Sequence, residues 1–292
     1  MIKRVGFACV MHGQKLSTNH AFRLASLTAA RLEQAVRGNL ADLEAMLAWM
    51  MPHGLRLLRL GSSFVPFASH EAMRLNWEPF CADDLRRIGA RHAALDFRFS
   101  LHPGQYNVLN SHNADVRRRT VRELEYSCRV LELMGLDESH KVILHGGSGG
   151  PGAAVRLREA LGALPGRVLA RLALENDERA FTFADIVAVC EATGLPPVFD
   201  LHHHRLNPSG EIAALLSRAA ALWADGRHGR PKVHISSQRP GARQGAHADL
   251  VDESDALDLC RLLPFEADCM VEAKHKEEAA LRAAPILWSC RA

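Results

Sequence analysis

The stretch PPVFDLHHHRLNP, residues 196–208, runs from a short apolar segment through Asp200 into three consecutive histidines. Val198 and Phe199 between prolines and an aspartate read as a buried strand, too short for a helix. An aspartate closing a strand, with a histidine three residues on, is a D-x-x-H element. A strand continued at period two would aim His202 and His204 to the side of Asp200 and His203 to the other. The strand must therefore end before His203 if Asp200 and His203 are to act together, which leaves His202 and His204 for shielding or packing.

Seven other runs have the same character: KRVGFAC (3–9), LRLLRLG (55–61), DFRFSLH (96–102), KVILHGG (141–147), RLALEND (171–177), KVHISSQ (232–238) and DCMVEAK (268–274). Between them lie stretches with helical spacing of apolar residues, such as LEQAVRGNLADLEAMLAWM (32–50) and VRRRTVRELEYSCRVLELMG (116–135), the latter ending in a glycine suited to a helix C-terminus. Alternation of strand and helix favours a parallel sheet with right-handed crossovers. With no Pro/Gly/Ser linker and no fixed repeat, eight such units in 292 residues predict one α/β domain over 1–292, a (β/α)8 TIM barrel, with an open doubly wound sheet as the rival.

A barrel of this kind places its active site where the strands end at their C-terminal side. His102, His145, Glu175, Asp200, His234 and Glu272 lie near such ends, with His203 just beyond the sixth strand and His247 in the loop GARQGAHADL (241–250) after the seventh. Carboxylates and neutral imidazoles are ligands for borderline divalent cations, and a carboxylate bridges two ions readily. Five histidines and three acids exceed one site, so a cluster of two or three metals is expected. Such ions clamp the attacking and leaving oxygens of a phosphodiester, and no Ser or Cys nucleophile is needed. Each residue alone has a plainer role: His145 as a packed ring, Asp200 as a helix cap, Glu175 as an ion-pair partner in ENDER. The coincidence of eight ligand types at consecutive strand ends is what argues against eight separate structural roles.

Other segments frame that mouth. HPGQY (102–106) is a tight loop that would project Gln105 and Tyr106, an amide and an aromatic able to wedge into a base stack or, more plainly, to stabilise the loop. Arg239 and Arg243 in SSQRPGARQGAH (236–247) suit phosphate contacts or an ordinary solvated loop, and RRR (117–119) reads as a solvated helix face. The balance of 36 Lys+Arg against 33 Asp+Glu, a formal +3, permits a local basic groove without demanding nucleic acid. Seven scattered cysteines without a CxxC pair argue for reduced, mostly buried thiols. No apolar run is long enough to cross a bilayer, so a cytoplasmic protein is expected with no membrane partner.

Taken together, FVPFASH (64–70), LHPGQY (101–106), LENDE (174–178), HHRLNP (203–208), PKVHISSQ (231–238), GAHAD (245–249) and MVEAKHKE (270–277) resemble the UV damage endonuclease family, relatives of the endonuclease IV barrel enzymes. The resemblance spans nearly the whole chain. It implies an ATP-independent DNA repair endonuclease, acting as a monomer on double-stranded DNA. The cut falls immediately 5′ to a UV photoproduct and leaves a 3′-hydroxyl and a 5′-phosphate, with some action on abasic sites. It further implies three divalent ions, manganese first and zinc as the alternative. By motif, His102, His145 and Glu175 match ligands of one ion. Asp200, His234 and Glu272, sharing Glu175, match those of a second, and His203 with His247 those of a third. Lys232 matches a lysine able to carry a carboxylated amine and joins Glu175, Asp200, His234 and Glu272 as the expected catalytic set. Gln105 and Tyr106 match lesion probes. Phe7 stands where the family's tyrosine near the lesion is expected, keeping a stacking face without the hydroxyl.

Two other functions remain open at this level. A sugar isomerase or epimerase of the xylose-isomerase-like barrels shares a Glu, Asp, His, Glu metal set on late strands but needs fewer ligands than are found here. A damage-recognition or metal-storage protein would bind without cutting.

Overall fold

Each of the eight apolar runs forms a strand in the computed structural model, which describes residues 1–289. They are β1 (Ile2–Ala8), β2 (Leu57–Arg59), β3 (Arg98–Leu101), β4 (Lys141–His145), β5 (Leu172–Glu175), β6 (Pro197–Asp200), β7 (Lys232–Ile235) and β8 (Ala267–Val271). Every neighbouring pair is parallel and β8 returns to β1, so the sheet closes in sequence order. The expected (β/α)8 barrel is the fold, and the open sheet is excluded.

Among the described residues ten α-helices connect and surround the strands: α1 (Ala29–Met50), α2 (Ala82–Ala93), α3 (Ala114–Leu133), α4 (Ala153–Gly162), α5 (Gly166–Arg171), α6 (Phe183–Thr193), α7 (Leu201–Leu206), α8 (Ile212–Trp223), α9 (Glu253–Leu262) and α10 (Lys276–Ser289). Local chemistry sets several boundaries. Thr182 and Asp185 form a reciprocal capping box at the start of α6, and Gly194 ends it with a left-handed φ of 72°. The 22 residues of α1 bury Leu32, Val36, Leu40, Leu43 and Leu47 along one stripe, the 3–4 spacing read from the sequence.

The strands stop two or three residues short of most of the apolar runs. β3 ends at Leu101, before His102, and β6 ends at Asp200, before the histidines. At Gly6 an added Cβ would lie 1.5 Å from the Leu57 carbonyl oxygen, so only glycine lets β1 meet β2 there. The opposite end of the barrel is closed by ions. Asp268 receives Arg4 at 2.7 Å, Arg98 at 2.9 Å and Arg230 at 3.2 Å. Burial pushes its carboxyl up, but Arg98 and Arg4 outweigh it and hold the group below its usual range.

Cys9, Cys81, Cys128, Cys190 and Cys269 are free thiols, as expected. Cys290 lies outside the described residues. No helix among the described residues is long and apolar enough to cross a membrane.

Candidate active site

The mouth is built around Glu175, the last residue of β5, whose side chain is fully buried. Its Oε1 lies 2.8 Å from His234 Nδ1 and 3.6 Å from His203 Nδ1, and its Oε2 lies 2.7 Å from His102 Nε2. Glu272, just past β8, brings Oε1 to 3.1 Å from His234 Nδ1. The ring centroids of His102 and His145 are 4.7 Å apart, and those of His145 and His203 5.6 Å. Two groups of donors result, His102–Glu175–His234–Glu272 and His145–Glu175–His203, each with ligand atoms within 4.8 Å of one another. Glu175 belongs to both.

Their charge states follow from burial and neighbours. Burial pushes Glu175 up, but His234, His145 and His102 reverse this and hold it well below the usual carboxylate range. For Glu272, Arg59 and His234 likewise overcome burial. Burial drives His145 down to about 3, only partly opposed by Glu175, and pushes His102 down too, with Arg59 adding to the effect. These rings are neutral near pH 7, the form that ligates metals. His203 differs. Burial pushes it down, yet Asp200, Glu175 and Glu272 raise it to about 9, so a cation entering beside it must displace a proton.

Several buried polar atoms in this region lack a hydrogen-bond partner: Nδ1 of His102 and of His145, Oδ2 of Asp200, Nε2 of His202 and Nζ of Lys232. Orphaned atoms of this kind cost free energy unless something else satisfies them. Imidazole nitrogens and carboxylate oxygens without partners, gathered around one bridging carboxylate, are the donor set that divalent cations take.

The grouping of ligands departs from the one the resemblance implies. His102 groups with Glu175, His234 and Glu272, although its ring is also 4.7 Å from that of His145, and His145 groups with Glu175 and His203. Asp200 lies outside both groups because its Oδ1 accepts the backbone N–H of His203 at 2.7 Å, capping α7, while Oδ2 stays free. The helix-cap role weighed for Asp200 is thus realised with half of its carboxylate. β6 does end before His203, as the D-x-x-H reading requires, and one helical turn brings His203 back toward Glu175. His247 also falls outside the two groups, its ring 6.4 Å from that of His203 and 5.7 Å from that of His202. His204 packs on Phe199, at 5.5 Å, whereas His202 is buried at the edge of the site with its Nε2 free.

Lys232 and His234 occupy alternate positions of β7, and the Lys232 amine is buried without a partner. Burial, with Arg98 and Arg59 nearby, holds it well below the ordinary lysine range. Over the mouth, Tyr106 is 78% exposed and Gln105 donates to Glu178 at 3.2 Å. Gln105, His203, Arg239, Arg243, His247 and Lys274 line a cavity of about 570 Å³. Arg239 and Arg243 are exposed, and neither is in an ion pair among the described residues.

Phe7 corrects an expectation. Its ring is fully buried, with its centroid 6.5 Å from that of Trp49 on α1, and it presents no face to DNA. Register explains this: Gly6 and Ala8 alternate with Phe7 along β1, and Phe7 belongs to the layer between barrel and helices.

Arg59, at the end of β2, is a site residue missed in the sequence. Its Nη2 lies 2.5 Å from Glu272 Oε1 and 3.1 Å from His234 Nε2. An arginine near the end of the apolar run LRLLRLG occupies the same kind of position as the predicted ligands. That position was its signal, but guanidinium is no metal ligand.

A family model described as UV-endonuclease UvdE matches residues 5–289. The UV DNA damage endonuclease of Bacillus velezensis is 30% identical over 97% of this chain and 93% of its own length. That of Clostridium perfringens is 29% identical over 96% of this chain and 69% of its own. The crystal structure of SacUVDE superposes with a TM-score of 0.90 at 32% identity, covering 98% of each chain.

Proposed function

The chain belongs to the UV-endonuclease UvdE family, a DNA repair endonuclease hydrolysing phosphodiester bonds, and from that premise we propose a metal-dependent incision immediately 5′ to UV photoproducts. The cut leaves a 3′-hydroxyl and a 5′-phosphate, needs no ATP, and extends to abasic sites. The observation that carries this reading is Glu175, a buried carboxylate shared by two donor groups at the C-terminal mouth of the barrel.

Three divalent ions, manganese first and zinc as the alternative, are the proposed complement, held by His102, His145, Glu175, Asp200, His203, His234, His247 and Glu272. Divalent ions held there would supply positive charge to the phosphate and lower the pKa of water toward neutrality. The chain's own residues do the rest. Glu175 and Glu272 hold the donor groups in register, and Asp200 fixes the first turn of α7 so that His203 faces Glu175. The depressed Lys232 amine is the form that reacts with carbon dioxide to give a carbamate and a proton, which would turn a buried amine into an anionic ligand. Gln105 and Tyr106 probe the lesion from above, and Arg239 and Arg243 neutralise backbone phosphates beside the cavity. We extend the proposal to one catalytic domain over 1–292 working as a monomer.

The test is nicking of irradiated supercoiled plasmid by the purified protein with manganese. The reading predicts relaxed circles from irradiated plasmid alone and their loss on chelation. Intact irradiated plasmid in the presence of manganese would refute it, and turnover of a ketose or its phosphate would restore the sugar-isomerase alternative.

A further inference from the structure

A second cluster of ligand types stands at the rim, where the loop after β1 meets the start of α10. The rings of His12 and His275 stack in parallel, 4.2 Å apart and 9° from coplanar. Both turn Nδ1 to the same carboxylate: His12 lies 3.5 Å from Glu278 Oε1 and His275 3.4 Å from Glu278 Oε2. We propose that His12, His275 and Glu278 form a peripheral site for a zinc-like divalent cation, separate from the donors around Glu175.

Parallel rings cannot both aim a lone pair at one ion, so binding requires the half-exposed His12 ring to turn out of the stack, but the distances between the ligand atoms already suit a cation better than close hydrogen bonds. Nitrogen–oxygen hydrogen bonds favour about 2.7–3.2 Å, and both contacts are longer. Ligands about 2.0–2.1 Å from a tetrahedral zinc are roughly 3.3 Å from one another, close to the separations seen. All three ligand atoms fall within 4.8 Å of one another. Two imidazoles and one carboxylate are a donor set of borderline softness, suited to zinc over calcium or magnesium. With half of the His12 side chain exposed, a fourth position stays open to water.

The surroundings hold the ligands in place. Glu277, buried beside them, accepts the backbone N–H groups of His12 and Gly13, each at 2.7 Å, and so pins the loop carrying His12. A cation here would tie the β1 loop to α10, cross-linking the first and last units of the barrel at its active face.

The test uses the full chain, stripped by chelation, reloaded with zinc and desalted. Elemental analysis should show one zinc fewer per chain in His12→Ala/His275→Ala than in the parent, and anomalous diffraction at the zinc edge should place a peak among the three residues. If the double variant fails to fold, Glu278→Gln, which keeps both rings, gives the same count. An unchanged zinc count in a folded variant, or a map with peaks around Glu175 and none at the rim, overturns the proposal.

Discussion

Oε1 of Glu175 and Nδ1 of His234 lie 2.8 Å apart with both side chains fully buried, and the other oxygen of the same carboxylate faces His102. Glu175→Gln keeps the volume and removes the charge that two donor groups share. Loss of an outer-shell partner of a metal costs about 10–100-fold, and a shared ligand should cost more. Nicking of irradiated plasmid should therefore fall by at least about 100-fold, with a lower metal-to-protein ratio and an unchanged far-ultraviolet dichroism spectrum. Parent-like nicking would remove Glu175 from the centre of the mechanism.

Arg59 and Glu272 form a pair that is almost entirely out of water. Removing one partner of a buried pair strands the other charge, at about 3–5 kcal/mol. Arg59→Met should lower the urea-unfolding stability of metal-free protein by about that much. If divalent ions bind the same carboxylates, as proposed, the deficit should shrink when manganese is added. A deficit that is the same with and without manganese would mean that Arg59 and the ions do not share Glu272.

His140 gives an acid limb to stability apart from the metal site. Its Nδ1 accepts the N–H of Phe99 at 2.9 Å, and burial, aided by Arg98, pushes the ring from 6.5 down to about 3. The unfolded chain binds this proton near pH 6.5 and the folded chain near pH 3. The contribution is therefore complete above the first value, declines as pH falls through the window and is gone below the second. His140→Asn should reduce stability at pH 7 and flatten its dependence between those values, measured by urea unfolding across pH. An equally steep acid limb in the variant would assign that limb to other groups.

Under the proposed function, Tyr106 should report on lesion contact and the pair Arg239 and Arg243 on phosphate contact. Tyr106 is exposed, so Tyr106→Ala should leave stability within about 0.5 kcal/mol. Loss of an aromatic stacking face should weaken binding to a dimer-containing duplex by about 1–3 kcal/mol while sparing undamaged duplex. Arg239→Ala and Arg243→Ala should weaken binding to both duplexes and lower the salt slope by about one each. Equal losses on both duplexes for Tyr106→Ala would make it a general contact.

The barrel was legible because all eight strands are short apolar runs, six of them with a His, Asp or Glu near the C-terminal end, a pattern that periodicity detects without tertiary knowledge. The gathering of His102, His145, Glu175, His203, His234 and Glu272 was legible for the same reason, since strand ends in a closed parallel barrel must converge. What sequence could not resolve is which ligand stands beside which. Asp200 is drawn half away by its cap on His203, and the partition of the others depends on rotamers rather than order along the chain. Phe7 was misread because one-residue alternation decides whether a β1 side chain faces the mouth or α1. Arg59 was passed over because only metal-ligand types were sought at strand ends, although burying a cation beside two carboxylates requires the same position.

The most direct measurement is cleavage mapping on one duplex oligonucleotide carrying a defined cyclobutane dimer, with elemental analysis of the same protein sample. The account predicts a single cut at the phosphodiester immediately 5′ to the dimer, with 3′-hydroxyl and 5′-phosphate ends, from protein that carries divalent metal. A cut at any other phosphodiester, or the same cut from metal-free protein, would contradict it.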